Sequence, residues 1–150
     1  MLFGFQENLP AKEGMVFEEL GKVPLCCVLP RTHPLAERET VREEELFSQQ
    51  LILCTAYTIP AKAVEIQNRI AQHISPEKIH ASENQDVILT LIRAGYGCSV
   101  LPRAAYLDTA LAYVPLADTP LLSYGIVYRE DSSNPVLKKF IDITLNITGR

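Results

Sequence analysis

The sequence has no excess of positive charge. Fourteen Lys and Arg stand against 18 Asp and Glu, a net charge of −4 with a pI near 5.4. That balance excludes a chain that grips a nucleic-acid backbone by itself. No apolar run approaches the roughly 18 residues needed to span a bilayer. The opening Met1–Glu7 segment has neither the basic stretch nor the apolar core of an export signal. Four cysteines are present, Cys26, Cys27, Cys54 and Cys98, but no C-x-x-C pair. Each lies in an apolar run, so they read as buried, reduced thiols acting as small hydrophobes, which points to a cytoplasmic location. His33, His73 and His80 show no metal-ligand spacing, so no metal or cofactor is expected, and all three read as structural or exposed.

What remains is an ordinary globular composition, 47% hydrophobic and 21% charged over 150 residues. That is enough for one domain or two small lobes. Met1–Gln6 is a short apolar run, followed by a polar loop with Pro10 and Gly14. Val23–Leu29 is continuously apolar, as in a strand covered on both faces. Thr40-Val41-Arg42-Glu43 has capping-box spacing and opens a short acidic helix to about Phe47. Leu51–Thr55 is a buried strand and Pro60–Ile74 a helix. That helix carries an apolar stripe of Ala63, Ile66, Ile70 and Ile74, with Thr58 as its candidate cap. A strand at Lys78–Ser82 precedes a helix at Asn84–Ala94 with Val87, Ile88, Leu91 and Ile92 facing the core, and Gly95 ends it. Strands follow at Cys98–Leu101, Leu111–Leu116 and Leu122–Tyr128. Asn134-Pro135 starts a last helix to about Ile147, whose stripe of Val136, Phe140, Ile143 and Ile147 should be packed.

The central β-α-β-α-β order implies parallel strands. Proline-marked passages near Pro30–Pro34 and near Pro102 bracket it and suggest a hinge between two lobes. The expected division is 1–30 in lobe I, 31–102 in lobe II, and 103–150 returning to lobe I. A ligand cleft lies between the lobes of such an arrangement.

Catalytic chemistry finds little support. Gly95-Tyr96-Gly97 follows a helix instead of opening one, so it is a helix stop and not a dinucleotide fingerprint. Cys54 has no base assignable from sequence, and Ser82 and Ser99 lack a nucleophile elbow. The glutamates near Glu43–Glu45 diverge around a helix. The protein is therefore expected not to be an enzyme. Two helices do begin just past the carboxyl ends of two parallel strands, at Thr55-Ala56-Tyr57-Thr58 and at Ser82-Glu83-Asn84. Helix starts of this kind suit a carboxylate or sulfate; the alternative reading is that Thr58, Ser82 and Asn84 only cap their helices. Glu83 fits a simple anion site only if it turns away or holds a ligand amine or hydroxyl.

Val28-Leu29-Pro30-Arg31-Thr32-His33-Pro34-Leu35-Ala36 resembles the LPxxHPLA segment of LysR-type transcriptional regulators. Leu91-Ile92-Arg93-Ala94-Gly95-Tyr96-Gly97-Cys98-Ser99-Val100-Leu101-Pro102 is similar to that family's LVxAGxGIxxLP segment. The resemblance runs over nearly the whole chain. It implies an α/β, two-lobed effector-binding domain of the type II periplasmic-binding-protein fold with hinge crossovers, its first lobe incomplete because the opening strand-helix-strand section is missing. It implies a small-molecule effector, an anion or an amino acid, held between the lobes, and a homodimer or tetramer. Promoter DNA would be bound only through an N-terminal domain absent from this chain, and no membrane is involved. Carried over by position, the effector-lining residues are Gln6, Glu7, Thr55, Tyr57, Thr58, Ser82, Glu83 and Asn84. The competing readings are a solute-binding protein of the same fold, a small α/β enzyme, and a small-molecule-binding regulatory module attached to an enzyme.

Overall fold

The computed structural model describes residues 1–9, 12–103 and 107–149. Pro10, expected in a polar loop, lies outside the described residues. The strands are β1 (Leu2–Phe5), β2 (Met15–Val23), β3 (Leu25–Pro30), β4 (Leu51–Cys54), β5 (Ile79–Ser82), β6 (Ser99–Pro102), β7 (Leu111–Pro115) and β8 (Leu122–Arg129). The helices are α1 (Ala61–Ala71), α2 (Gln85–Arg93) and α3 (Pro135–Ile147).

The chain separates into two compact units, Met1–Val23 with Leu121–Arg150, and Pro24–Pro120. The crossings therefore fall next to Pro24 and Pro120, and not at Pro30–Pro34 and Pro102. The reason is tertiary. β3 pairs antiparallel with β6 on one side and β7 on the other, so all three strands belong to the second unit. The expected division at 30 and 102 puts β3 and β7 in one lobe and their sheet partner β6 in the other.

In the first unit, β8 lies between β1 and β2, antiparallel to both. β2 is the strand that periodicity does not show. A bulge between Glu19 and Gly21 shifts its register halfway along and breaks the apolar–polar alternation. Its two glutamates are tolerated because β8 supplies partners. Ser123 Oγ donates to Glu19 at 2.6 Å and the Tyr128 hydroxyl to Glu18 at 3.3 Å. α3 starts as expected, with Pro135 in its first turn and Asn134 Oδ1 accepting from the Val136 N–H at 2.9 Å. Its packed side carries Ile141, which is buried. The stripe expected to be packed is not: Val136, Ile143 and Ile147 are 73%, 49% and 79% exposed. Phe140 makes an edge contact with Phe3.

In the second unit, β3 is the axis of the core, and Leu25 through Leu29 have no exposed surface. Full burial of such side chains contributes about 1.5–3 kcal/mol each. β4 and β5 are parallel, with α1 as their crossover. A parallel bridge between Leu51 and Cys98 joins this pair to the β6-β3-β7 sheet. There the Ile52 N–H donates to the Cys98 carbonyl at 2.8 Å and the Cys98 N–H to the Gln50 carbonyl at 2.9 Å. Beyond that bridge, side chains take over the ladder. Ser99 Oγ donates to the Ile52 carbonyl at 2.7 Å, and the Cys54 N–H donates to Gln67 Oε1 at 2.7 Å. Ser99 and Gln67 are buried polar residues for that reason.

Ala63, Ile66 and Ile70 of α1 are buried as expected, and so is Ile74, which lies in the turn after the helix and not in its last turn. In α2, Ile88 and Ile92 are buried, but Val87 is 45% exposed. The acidic helix is a single 3-10 turn, Glu43–Leu46, capped two residues later than expected: the Glu45 carboxylate accepts from the Arg42 N–H at 2.9 Å. Arg69 of α1 anchors this turn through Glu43, its Nε donating at 2.8 Å.

Candidate functional site

The second unit brings two strand-to-helix junctions together. Cys54 and Ser82, the last residues of β4 and β5, are register partners. The next N–H, that of Thr55, donates to the Ser82 carbonyl at 3.0 Å. Thr55, Tyr57 and Thr58 therefore leave one strand end beside the point where Ser82, Glu83 and Asn84 leave the other. This follows from the parallel pairing, which puts both carboxyl ends on one sheet edge. Of these residues Ser82 is half-buried and the others are exposed, Tyr57 almost completely at 95%. Gln6 and Glu7 belong to the first unit, in the 3-10 turn Gln6–Asn8 that follows β1. Gln6 lines a pocket of about 1150 Å³ in that unit with Leu2, Phe17, Val127 and Arg129.

The two helix starts differ in the residue at the cap position. At α2 the cap is internal: Asn84 Oδ1 accepts from the Asp86 N–H at 2.9 Å and the Val87 N–H at 3.3 Å. Ser82 Oγ accepts from the Asn84 N–H at 3.1 Å and so orders the turn that presents this cap. At α1 the cap position is Pro60, with no side-chain cap bond. Proline at that position cannot offer a side-chain oxygen, so any side-chain cap of α1 comes from another residue.

A second feature of this unit was not foreseen. The two sequence segments that carry the family resemblance meet in one pocket of about 490 Å³. Pro30, Thr32, His33 and Pro34 come from one; Gly95, Gly97 and Cys98 come from the other; Gln49 and Lys78 complete the wall. His33 is the organising group. The Leu35 N–H donates to its Nδ1 at 3.1 Å, so Nε2 carries the proton and donates to Gln49 Oε1 at 2.9 Å. His33 is thereby structural. His73 is structural too, stacked on Phe47 with ring centroids 4.0 Å apart, while His80 is exposed. Gly95 ends α2 with φ +80, and the Tyr96 N–H reaches back to the Leu91 carbonyl at 3.0 Å. Among the described residues, no group of three His, Cys, Asp or Glu side chains could hold a metal ion.

The LysR substrate binding domain family model matches residues 3–147. The chain belongs to this family. It is 26% identical over 125 residues to the HTH-type transcriptional regulator AlsR of Bacillus subtilis, an alignment covering 81% of this chain and 41% of AlsR. Among solved structures, the BenM effector binding domain with its effector benzoate superposes with a TM-score of 0.71 at 21% identity, covering 98% of this chain and 68% of that one. Full-length CbnR complexed with its target DNA gives a TM-score of 0.71 at 20% identity, covering 99% of this chain and 52% of CbnR. The fold is therefore the α/β effector-binding fold of LysR-type regulators, of the type II periplasmic-binding-protein class. The chain spans about two fifths of the curated relative it matches. No helix among the described residues is long and apolar enough to cross a membrane.

Proposed function

We propose that this LysR substrate-binding domain senses a small anionic effector, and that Thr55, Tyr57, Thr58, Ser82, Glu83 and Asn84 contact it. The observation that carries the proposal is the pairing of Cys54 with Ser82, which sets two helix starts side by side at the carboxyl ends of parallel strands. The α1 junction takes the ligand's carboxylate or other anionic group, because the positive end of the α1 dipole begins shortly after the carboxyl end of β4. The α2 junction, satisfied internally, sets shape and contributes Glu83. A glutamate beside an anion is favourable only if it accepts from a ligand amine or hydroxyl, so the effector carries a donor group near its anionic one, as an amino acid or a hydroxy acid does. Gln6 and Glu7 are further effector contacts in this proposal, on the strength of the family resemblance.

Effector binding acts by population shift: the ligand favours one arrangement by its difference in affinity, and in the whole regulator this changes the packing of a homodimer or tetramer on promoter DNA. The DNA is bound by another part of that regulator, in keeping with the net charge of −4 here. A cytoplasmic location is part of the same proposal, supported by four buried free thiols.

A thermal-shift screen of small carboxylates, amino acids and inorganic anions tests the reading. A bound ligand raises the melting temperature with the logarithm of its concentration. Thr58→Ala and Ser82→Ala should each weaken the best hit by about tenfold, the order expected for one charge-assisted hydrogen bond. Unchanged affinity in both variants would remove the site.

A further inference from the structure

We infer that Cys27 and Cys98 form a dithiol at the pocket where the two motif segments meet, and that an oxidant of the hydroperoxide class closes it to a disulfide. The sheet register brings the pair together. Cys27 on β3 is opposite Val100 on β6, and Cys98 stands two residues before Val100, on the same face of the sheet. The two are diagonal neighbours on that face, and the Cys98 thiol is near enough to raise the ionisation of Cys27. Cys26 points to the opposite face, and its Sγ lies over the Pro24 carbonyl. All four cysteines are free, so the pair is in its reduced form. Cys98 also lines the 490 Å³ pocket with His33, Gln49 and Lys78. A small oxidant entering this pocket meets Cys98 before it meets Cys27, which has no exposed surface.

The chemistry follows from that order of access. The Cys98 thiol and burial push the ionisation of Cys27 well above the ordinary thiol range, so Cys27 is not the first nucleophile. The Cys98 thiolate attacks one peroxide oxygen and the O–O bond breaks. The leaving oxygen departs as water, and Cys98 becomes a sulfenic acid. The Cys27 sulfur then attacks the Cys98 sulfur, and the S–O bond breaks. The leaving hydroxide takes the Cys27 proton and departs as a second water. Two thiols are oxidised by two electrons and one hydrogen peroxide is reduced to two waters. The product ties β3 to the start of β6, beside the bridge that joins the two sheets of this unit.

Hydrogen peroxide is the probe, applied to the folded 150-residue chain. The intact mass should fall by two hydrogens and return with dithiothreitol. Tryptic digestion should link Val23–Arg31 to Ala94–Arg103, and a Cys26→Ala variant should still show that link. The linked form should melt several degrees higher, since the bond closes a long loop. In Cys27→Ser, dimedone should trap a sulfenic acid on Cys98; in Cys98→Ser it should trap none on Cys27. Circular dichroism establishes that each variant is folded. The proposal is overturned if the folded chain keeps all four thiols under conditions that oxidise a urea-unfolded control, or if the disulfide joins another pair.

Discussion

Gly97 is the position where one methyl group should do the most damage, and the structure allows the size to be worked out. Its φ is +152, a conformation side chains rarely adopt. A Cβ there would sit 2.5 Å from the Gln50 carbonyl oxygen and 2.9 Å from its carbon. Both are backbone atoms, so they yield only if β4 moves. That same carbonyl accepts the Cys98 N–H at 2.9 Å in the bridge that joins the two sheets of the second unit. Backbone strain of this kind costs about 1–3 kcal/mol. Loss of a buried backbone hydrogen bond adds roughly 1–3 kcal/mol. Gly97→Ala should thus destabilise by about 2–6 kcal/mol, a large share of the roughly 5–15 kcal/mol that holds a domain folded. Gly95 is the internal control. Its φ is +80, but an added Cβ meets nothing within 4 Å, so Gly95→Ala should cost only about 1 kcal/mol. Urea unfolding of both variants measures the difference. Equal losses, or a Gly97→Ala loss below about 1 kcal/mol, would refute the assignment of the clash to the sheet junction.

Three further outcomes are expected. Asn84→Ala removes the acceptor for two N–H groups of α2 and should cost about 1 kcal/mol in urea unfolding. Ser99→Ala leaves the Ile52 carbonyl short of its buried 2.7 Å donor and should cost about 1–3 kcal/mol, with amide exchange rising at β4 and β6. Burial pushes the Cys26 thiol from 9.0 up to about 11, with Arg103 pulling weakly the other way. A thiol that ionises less readily when folded contributes its stability in full below pH 9.0. That contribution is lost as pH rises toward about 11, so unfolding free energy should fall across this window and fall less steeply in Cys26→Ala.

How much of this was legible in the sequence depended on whether the cause was local. The helices were readable because their signals are local: Ala63, Ile66, Ile70 and Ile74 at helical spacing, Asn84 and Asn134 as caps, Gly95 as a stop. β2 was hidden because its bulge breaks the period and because Glu18 and Glu19 find partners on β8, 104 and more residues away. The unit boundaries were misplaced for a similar reason. Pro30 and Pro102 look like breaks, yet each ends a strand inside the second unit, while Pro24 and Pro120 mark the crossings. Periodicity identified the apolar stripe of α3 but could not tell whether anything covers it. At the candidate site, residue types and the two junctions were legible. What sequence could not show is that Asn84 is committed to α2 while Pro60 stands at the cap position of α1. The meeting of the two motif segments around His33 was likewise invisible, because it depends on how β3 and β6 pair.

The central claim is that ligand recognition resides at the paired junctions of β4 and β5. Amide chemical-shift mapping with the best anionic hit tests it directly. The account predicts concentration-dependent shifts centred on Thr55–Thr58, with smaller ones at Ser82–Asn84, all lost in the Thr58→Ala, Ser82→Ala double variant. Saturable shifts centred anywhere else in the second unit, with these seven amides unmoved, would contradict it.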